Sequence, residues 1–401
     1  MKKISFLGDI MCELPFLKAA QSRGNDFYTA FSKLQPLLSE SDFVVANLET
    51  PIAGEELGFT NDLYSFNTPP ALLDALKKVK IDLFLTANNH CLDRGVKGLI
   101  NTLDELEKRS MKHTGTFRSQ EEKDNIFTYE ADDTVCSFLS YNAYINDDKW
   151  LKHKKDLSSF NVNELIDMDL LKKYRDEKRA KSMPLYKFRK WLKSLIPSKV
   201  DVYIKKKMGV KFKSYTDNEP MSDIVGSYFS NVEEDIKKAK QVSDLVFVLP
   251  HCGGQFNITP GIRSKEIFKK LLECGSDVVV GSHPHTIQNI SFFDNKPCVF
   301  SLGNASMSPS SPFIVKSSLP EYGLVFHAYI ENKKIVKTSF SIIKTIEEAD
   351  HYSMVFPVDE LFKISSPKQQ KSLTDDLSKI YGWITGNNSF PGINREYQLP
   401  F

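Results

Sequence analysis

The architecture of this chain is first legible in Val278-Val279-Val280-Gly281-Ser282-His283-Pro284-His285. Three β-branched residues make a short buried strand, Gly281 ends it, and two imidazoles follow at once. Loops at the carboxyl ends of parallel strands converge on one crevice, which is where open α/β sheets assemble their sites. A strand that stops at His-x-His therefore predicts that other strands of the chain stop at ligand-type residues too.

Four others do. Ile4 to Leu7 runs into Gly8-Asp9, and Phe43 to Ala46 into Asn47-Leu48-Glu49. Leu83 to Thr86 runs into Asn88-Asn89-His90 with Asp93 just beyond, and Leu245 to Leu249 into His251. Between these strands, Thr29 to Leu38, Ala71 to Val79, Lys97 to Lys108 and Ser264 to Cys274 carry apolar residues at helical spacing. Ser137 to Ser140 and Val299 to Leu302 add strands. Leu324 to Ile330 and Ile335 to Ile343 flank a polar turn as a hairpin. Such alternation predicts a layered α/β architecture. The polar tail from Ser365 onward is expected to be a surface helix plus an extended terminus without chemistry.

Taken singly, each candidate has an ordinary explanation. A strand-end Asp or Glu caps a turn, and a lone His is a satisfied, partly buried group. Two carboxylates, an amide and three imidazoles delivered by five strands are another matter. That donor mixture suits one or two borderline divalent ions such as Mn, Zn or Fe, and does not suit an all-oxygen Ca site. Cys12, Cys91 and Cys252 flank the ligand positions, where a small apolar side chain packing behind the motif competes with thiolate ligation.

The 401 residues are 41% hydrophobic and 26% charged, which excludes a disordered, collagen-like or disulfide-scaffold protein and implies a sizeable core. The net charge of +2 conceals two unlike parts. Residues 149–213 hold 20 Lys and Arg against 7 Asp and Glu, leaving 33 basic and 44 acidic side chains for the rest. Within this block Leu185, Phe188, Trp191, Leu192, Leu195 and Ile196 recur at helical spacing, with Lys187, Arg189, Lys190 and Lys193 opposite and Pro197 closing the run. That is a basic amphipathic helix over 183–199. Four segments are expected: 1–148, a basic helical insertion or cap over 149–225, a return to the first domain over 226–350, and a surface extension over 351–401. Three readings of the block stand open: a solvated cap, a peripheral contact with anionic membrane through 183–199, or electrostatic focusing of an anionic small-molecule or polymer substrate. No nucleic-acid motif accompanies the charge. Six cysteines without CxxC spacing, a charged opening too short for an export segment, and no apolar window of spanning length lead us to expect a cytoplasmic location, with contact at the inner membrane surface as an open reading.

Gly8-Asp9-Ile10-Met11, Asn47-Leu48-Glu49, Ala87-Asn88-Asn89-His90 with Asp93 and Gly95, His251-Cys252-Gly253, Gly281-Ser282-His283-Pro284-His285 and Ser301-Leu302-Gly303-Asn304 resemble, in order and strand context, the bacterial capsule-synthesis family of CapA-like, poly-γ-glutamate capsule proteins. The resemblance covers roughly residues 1–140 and 225–345. That family is similar in fold to calcineurin-like metallophosphoesterases, so the resemblance implies a four-layer α/β/β/α sandwich interrupted by the basic insertion. It also implies a metal-dependent hydrolase acting on a phosphoester or anionic polymer of the cell envelope, or alternatively a non-catalytic accessory protein that binds a polyanion or membrane-bound synthesis machinery. By the same resemblance Asp9 and His285 would bind a first metal, Glu49 would bridge, and Asn89, His251 and His283 would bind a second. His90 would face the substrate as general acid or as an electrostatic partner for an oxyanion, with Asp93 orienting it, and Asn88, Gln255 and Asn304 would support substrate or loops. Two positions depart from the pattern: Met11 stands where phosphoesterases place a His, and Gln255 stands where the family usually has Glu.

Overall fold

The computed structural model describes residues 1–62, 65–146, 161–183, 213–221 and 228–400, with single positions between 185 and 204. Two sheets carry the site. In the first, β1 (Lys2–Ile10) lies parallel to β2 (Phe43–Leu48), followed by β3 (Leu83–Leu85) and β4 (Lys112–Thr114), which ends that side. On its other side β1 meets the antiparallel run β14 (Tyr322–Glu331), β15 (Lys334–Glu347) and β16 (Ser353–Pro357). β13 (Asn304–Ser306) joins β1 beside Asp9, and β17 (Tyr397–Gln398) joins β15. The second sheet has the order β11 (Ile290–Phe293), β12 (Lys296–Val299), β10 (Val278–Val280), β9 (Leu245–His251), β7 (Thr134–Asn142) and β6 (Thr128–Ala131). β5 (Thr116–Phe117) and β8 (Asn161–Val162) form a small separate pair.

The strands alternate with period 2 between two cores, as pleated strands buried on both faces must. Ile4 and Phe6 of β1, Phe43 and Val45 of β2, and Leu245, Phe247 and Leu249 of β9 share the core between the sheets. Phe247 stacks there on Phe6 and Phe138, with ring centroids 5.4 and 5.2 Å apart. Leu7, Val44 and Ala46 point the other way, onto α1 (Leu14–Ser22), α2 (Tyr28–Phe31), α3 (Gln35–Leu38) and α4 (Ala71–Lys78). α5 (Gly95–Lys108) leads into β4, and α6 (Gln120–Asp124) crosses toward β6. Val246, Val248 and Val279 face α7 (Met168–Ser182), α8 (Tyr228–Val242) and α9 (Ile262–Glu273), which contribute Leu171, Val232, Ile236, Ile267 and Phe268. The chain is a mixed α/β protein. Removing one central ring, as in Phe247→Ala, would cost about 3–5 kcal/mol through lost transfer energy plus the cavity left behind.

Several elements differ from the sequence reading. The helix expected over Thr29 to Leu38 is broken into α2, a 3₁₀ turn over Ser32–Leu34 and α3. Pro36 has no N–H for the Ser32 carbonyl, which accepts instead from Gln35 in the tighter turn. The strand placed at Val299 to Leu302 lies three residues earlier, at Lys296–Val299, because antiparallel pairing with β11 fixes its register. The tail is no mere surface extension. β16 and β17 are strands of the first sheet, and between them α10 (Val358–Ile364) leads to α11 (Pro367–Thr385), which buries Leu373, Leu377, Ile380 and Ile384. Their 4-3-4 spacing makes an apolar stripe that a polar overall composition hides.

Within the expected insertion, Leu165 and Ile166 pack in the outer core of the second sheet. The basic residues of the predicted helix over 183–199, Lys187, Arg189, Lys190 and Lys193, lie outside the described residues. Leu185, Phe188, Trp191 and Leu195, which are described, are exposed. Among the described residues no helix is long and apolar enough to cross a membrane.

Candidate metal centre

Asp9 sits where β1 ends, opposite Asn47 of β2 and Asn304 of β13 in the strand register. Gly8 allows this convergence, since a Cβ there would fall 2.0 Å from the Gly303 carbonyl oxygen. Asp9, Glu49, Asn89, His251, His283 and His285 are all buried and come together in two overlapping groups. In the first, His285 Nδ1 stands 3.3 Å from Asp9 Oδ2, and its Nε2 stands 3.6 Å from Glu49 Oε1. In the second, His251 Nε2 lies 3.4 Å from Glu49 Oε1, 2.6 Å from Asn89 Oδ1 and 3.1 Å from His283 Nδ1. Glu49, His251 and His283 keep one ligand-type atom each within 4.8 Å of one another, as do Asp9, Glu49 and His285, so Glu49 belongs to both groups, and Asn89 Oδ1 adjoins the first of these through His251 and His283.

The loop that presents the last two imidazoles is held in an unfavourable conformation. His283 has φ 98° and His285 φ 54°, both in the left-handed region that costs a non-glycine residue about 1–3 kcal/mol. Asp9 helps to hold it, accepting the His283 N–H at 3.1 Å. Asn304 holds the other end: its Oδ1 is 2.9 Å from His285 Nδ1, while its Nδ2 donates to the His285 carbonyl at 3.1 Å.

Glu49 tests whether the pocket fits a cation. Its side chain is fully buried, and neither carboxylate oxygen has a hydrogen-bond partner. A buried carboxylate without hydrogen bonds costs several kcal/mol unless positive charge compensates it. Its neighbours already respond to that demand. Burial pushes the His285 imidazole down, but Glu49 and Asp9 outweigh it and raise it to about 9. Burial likewise works against ionised Asp9, yet His285, His251 and the Asn47 amide bring it to about 2. Burial and the surrounding imidazoles hold His283 well below its ordinary value, so it is neutral and keeps a lone pair. The donor set of imidazole, carboxylate and amide fits a divalent cation. Thiolates fit less well, because burial raises Cys12 and Cys252 and lifts Cys91 to about 12.

Around this core, His90 Nδ1 meets Asp93 Oδ2 at 2.7 Å, and the Phe66 N–H donates to the same carboxylate oxygen at 2.7 Å. Burial opposes the charged imidazole of His90, but Asp93 and Glu49 leave it raised. Asn88 supports the cluster from behind, donating to Asn47 Oδ1 at 3.2 Å and to the Leu48 carbonyl at 2.8 Å, while Asn47 donates to Asp9 Oδ1 at 2.7 Å. Met11 is buried and bonds through its backbone to Ser306 at 3.1 Å. Gln255 takes part through its carbonyl, which accepts the Tyr215 N–H at 2.9 Å. That contact docks segment 213–221 on the loop after β9. Asp217 then accepts from the N–H and Oγ of Ser264, at 3.0 and 2.7 Å, while Glu219 pairs with Arg263 and Arg175, each at 2.9 Å.

Four groups were not singled out from the sequence. Tyr144 Oη abuts His283 Nε2, leaving Nδ1 to face Asn89 and His251. Ser282 Oγ holds His251 Nδ1 at 2.8 Å, Asn146 Nδ2 reaches both ring nitrogens of His90 at 3.3 Å, and Asn47 bridges Asp9 and Asn88. Tyr144 and Asn146 follow the end of β7, so the strand-end rule applies to them as well.

Fold and pocket together define a class: a mixed α/β protein with buried His, Glu and Asp groups at strand ends that could bind metal. The comparisons place it further. The family described as bacterial capsule synthesis protein PGA_cap matches residues 3–308, and the chain belongs to that family. It is 22% identical over 321 residues to the PGA biosynthesis protein CapA of Bacillus subtilis (strain 168), covering 80% of this chain and 67% of the relative. The capsule biosynthesis protein CapA of Bacillus anthracis is 19% identical over 325 residues, covering 80% of this chain and 63% of the relative. An uncharacterized protein y4sH of Sinorhizobium fredii (strain NBRC 101917 / NGR234) is 22% identical over 309 residues, covering 71% and 63%. The chain thus spans about two thirds of the length of the relatives it matches.

Proposed function

We propose that this chain is a metal-dependent hydrolase with a four-layer α/β/β/α metallophosphoesterase-like fold, acting on a phosphoester or anionic polymer in cell-envelope or capsule biosynthesis. The observation that carries the reading is Glu49, a buried carboxylate without hydrogen bonds shared by two groups of ligand-type atoms. His251, His283 and Asn89 would hold one ion, Asp9 and His285 another, and Glu49 both; Mn, Zn or Fe suits the nitrogen and oxygen donors. Such ions, when bound, supply a water acidified toward neutrality and a Lewis acid for a phosphoryl or carbonyl oxygen. The chain's own groups do the rest. Asp93 accepts the His90 Nδ1–H, which fixes the tautomer and leaves Nε2 to exchange a proton with the leaving oxygen. Tyr144 in the same way directs the lone pair of His283 Nδ1 toward Asn89 and His251.

The test is the metal content of the purified full chain, followed by hydrolysis of bis(p-nitrophenyl) phosphate and p-nitrophenyl phosphate with and without added Mn. Bound metal, metal-stimulated turnover, and loss of both in His283→Ala are expected. Absence of metal together with unchanged stability on chelation would sink the reading.

A second reading, in which the chain is an accessory protein that binds a polyanion or membrane-bound synthesis machinery, has two observations in its favour. Gln255 is neutral where the family usually has an acid, and the described apolar residues of the basic stretch, among them Leu185 and Phe188, are exposed. Peripheral contact with the inner membrane surface from the cytoplasmic side would follow from that reading. Tight metal binding without turnover would favour it.

A further inference from the structure

The turn that carries His283 and His285 has to be held from outside. Two left-handed residues so close together persist only where the surrounding structure over-determines them, and Asp9 and Asn304 grip this turn from the side of the first sheet. We infer that segment 213–221 holds it from the side of the second sheet, and that Asp217 is its positioning residue.

Asp217 supplies a helix cap that α9 lacks in its own sequence. The residue before α9 is Gly261, which has no side chain to accept from the free N–H groups of the first turn. Segment 213–221 accepts from them instead. The Ile262 N–H goes to Asn218 Oδ1 at 3.4 Å, the Arg263 N–H to the Asp217 carbonyl at 3.1 Å and the Ser264 N–H to Asp217 Oδ2 at 3.0 Å. The Gly261 N–H donates to Asp217 Oδ1 at 3.2 Å. Only glycine admits this seat, since a Cβ at 261 would stand 2.2 Å from Asp217 Oδ1. Asp217 itself is buried.

Two paths lead from this cap to the turn. In the first, the start of α9 and the turn close on Gly253 from either side: a Cβ there would meet Ser264 Oγ at 3.4 Å and Pro284 Cγ at 3.0 Å. The second runs through the loop after β9. Tyr215 donates its N–H to the Gln255 carbonyl at 2.9 Å, and Asn257 Nδ2 donates to Thr216 Oγ1 at 2.5 Å. Phe256, between these anchors, donates its N–H to the Pro284 carbonyl at 2.7 Å and sets its ring beside His285, with centroids 5.7 Å apart. Glu219 ties the same segment to Arg263 of α9 and Arg175 of α7, so α7, the segment and the turn form one connected structure.

The inference rests on the metal-centre reading only in its consequence for metal affinity, so its test has one arm without metal. In the full chain with chelator, hydrogen–deuterium exchange over 281–287 should be about tenfold faster in Asp217→Ala than in the parent. It should stay near the parental rate in Asp217→Asn, because an amide oxygen caps a helix nearly as well as a carboxylate. Gly261→Ala, which keeps Asp217 but closes its seat, should match Asp217→Ala. Ser366→Ala removes the cap of α11 instead and should leave the turn unchanged. The second arm titrates Mn into each protein, with about tenfold weaker binding expected in Asp217→Ala and Gly261→Ala and parental binding in Asp217→Asn and Ser366→Ala. Parental exchange at the turn in both Asp217→Ala and Gly261→Ala, equal acceleration in Ser366→Ala, or unchanged Mn affinity in a variant whose turn has loosened would each overturn the proposal. A parent that binds no Mn would defeat the metal-centre reading, and the exchange arm would still decide this one.

Discussion

Glu49→Gln separates a metal ligand from a structural acid without knowledge of the substrate. In the metal-free protein two large terms oppose each other. Taking the carboxylate out of water costs several kcal/mol. Its attraction to a protonated His285 at 3.6 Å returns about 4–5 kcal/mol at an effective dielectric constant of about 20. Neutralising Glu49 removes both, so the metal-free variant should lie within about 2 kcal/mol of the parent. The effect of metal should differ sharply. At a concentration a hundredfold above Kd, metal stabilises the parent by about 2.7 kcal/mol. If loss of the shared anionic ligand weakens binding about a hundredfold, the same concentration stabilises the variant by only about 0.4 kcal/mol. Denaturant unfolding of both proteins, with chelator and with Mn, reads all four values. Equal stabilisation of parent and variant by metal would refute the ligand assignment. A metal-free variant weaker by more than about 3 kcal/mol would show that Glu49 makes an ordinary structural contact.

Burial holds His327 near pKa 3, far below its ordinary 6.5, in a network with Ser5 and Ser341 at 2.7 and 3.0 Å. The folded value is the lower one, so this contribution is complete above about pH 6.5 and falls by about 1.4 kcal/mol per unit as pH drops toward 3. The stability gap between parent and His327→Asn should therefore narrow by about 2.7 kcal/mol between pH 7 and pH 4.5; parallel curves would contradict it. Asp93→Asn should lower turnover about 10–100-fold with metal content retained, because it frees the His90 tautomer; unchanged kcat would remove Asp93 from the site. Reversing Lys187, Arg189, Lys190 and Lys193 to Glu should abolish sedimentation with vesicles rich in anionic lipid if 183–199 binds membrane, and equal sedimentation of variant and parent would reject that contact.

What could be read from the chain alone follows the reach of local rules. The strands ending at Asp9, Glu49, Asn89, His251 and His283 were legible because period, glycine punctuation and ligand chemistry coincide within a few residues of each. Tyr144 and Asn146 obey the same strand-end rule, but a hydroxyl and an amide after a run interrupted by Ser137 and Ser140 do not stand out as ligand chemistry. Asn47 and Ser282 are supports whose roles exist only once two strands are side by side. α11 carried its signal openly in Leu373, Leu377, Ile380 and Ile384, yet a stripe does not say which surface it will cover. Pro36 shows the converse, a local rule strong enough to break a helix that periodicity favours.

The same distinction bears on why the pocket counts as a site at all. His283 and His285 sit in left-handed backbone, and Glu49 lies buried without a hydrogen bond. Each of these costs free energy that a Gly or a Gln in its place would largely avoid. Folding alone gives no reason to combine them, and a fold held only for stability would have relaxed at least one. The three costs would share one remedy, a cation held by Glu49 and the imidazoles. It would satisfy the carboxylates, displace the proton from His285, and give both strained turns a ligand to hold. Local rules of sequence fail together at this one place, and on the proposed function the element that would reconcile them is a cation, not a part of the chain.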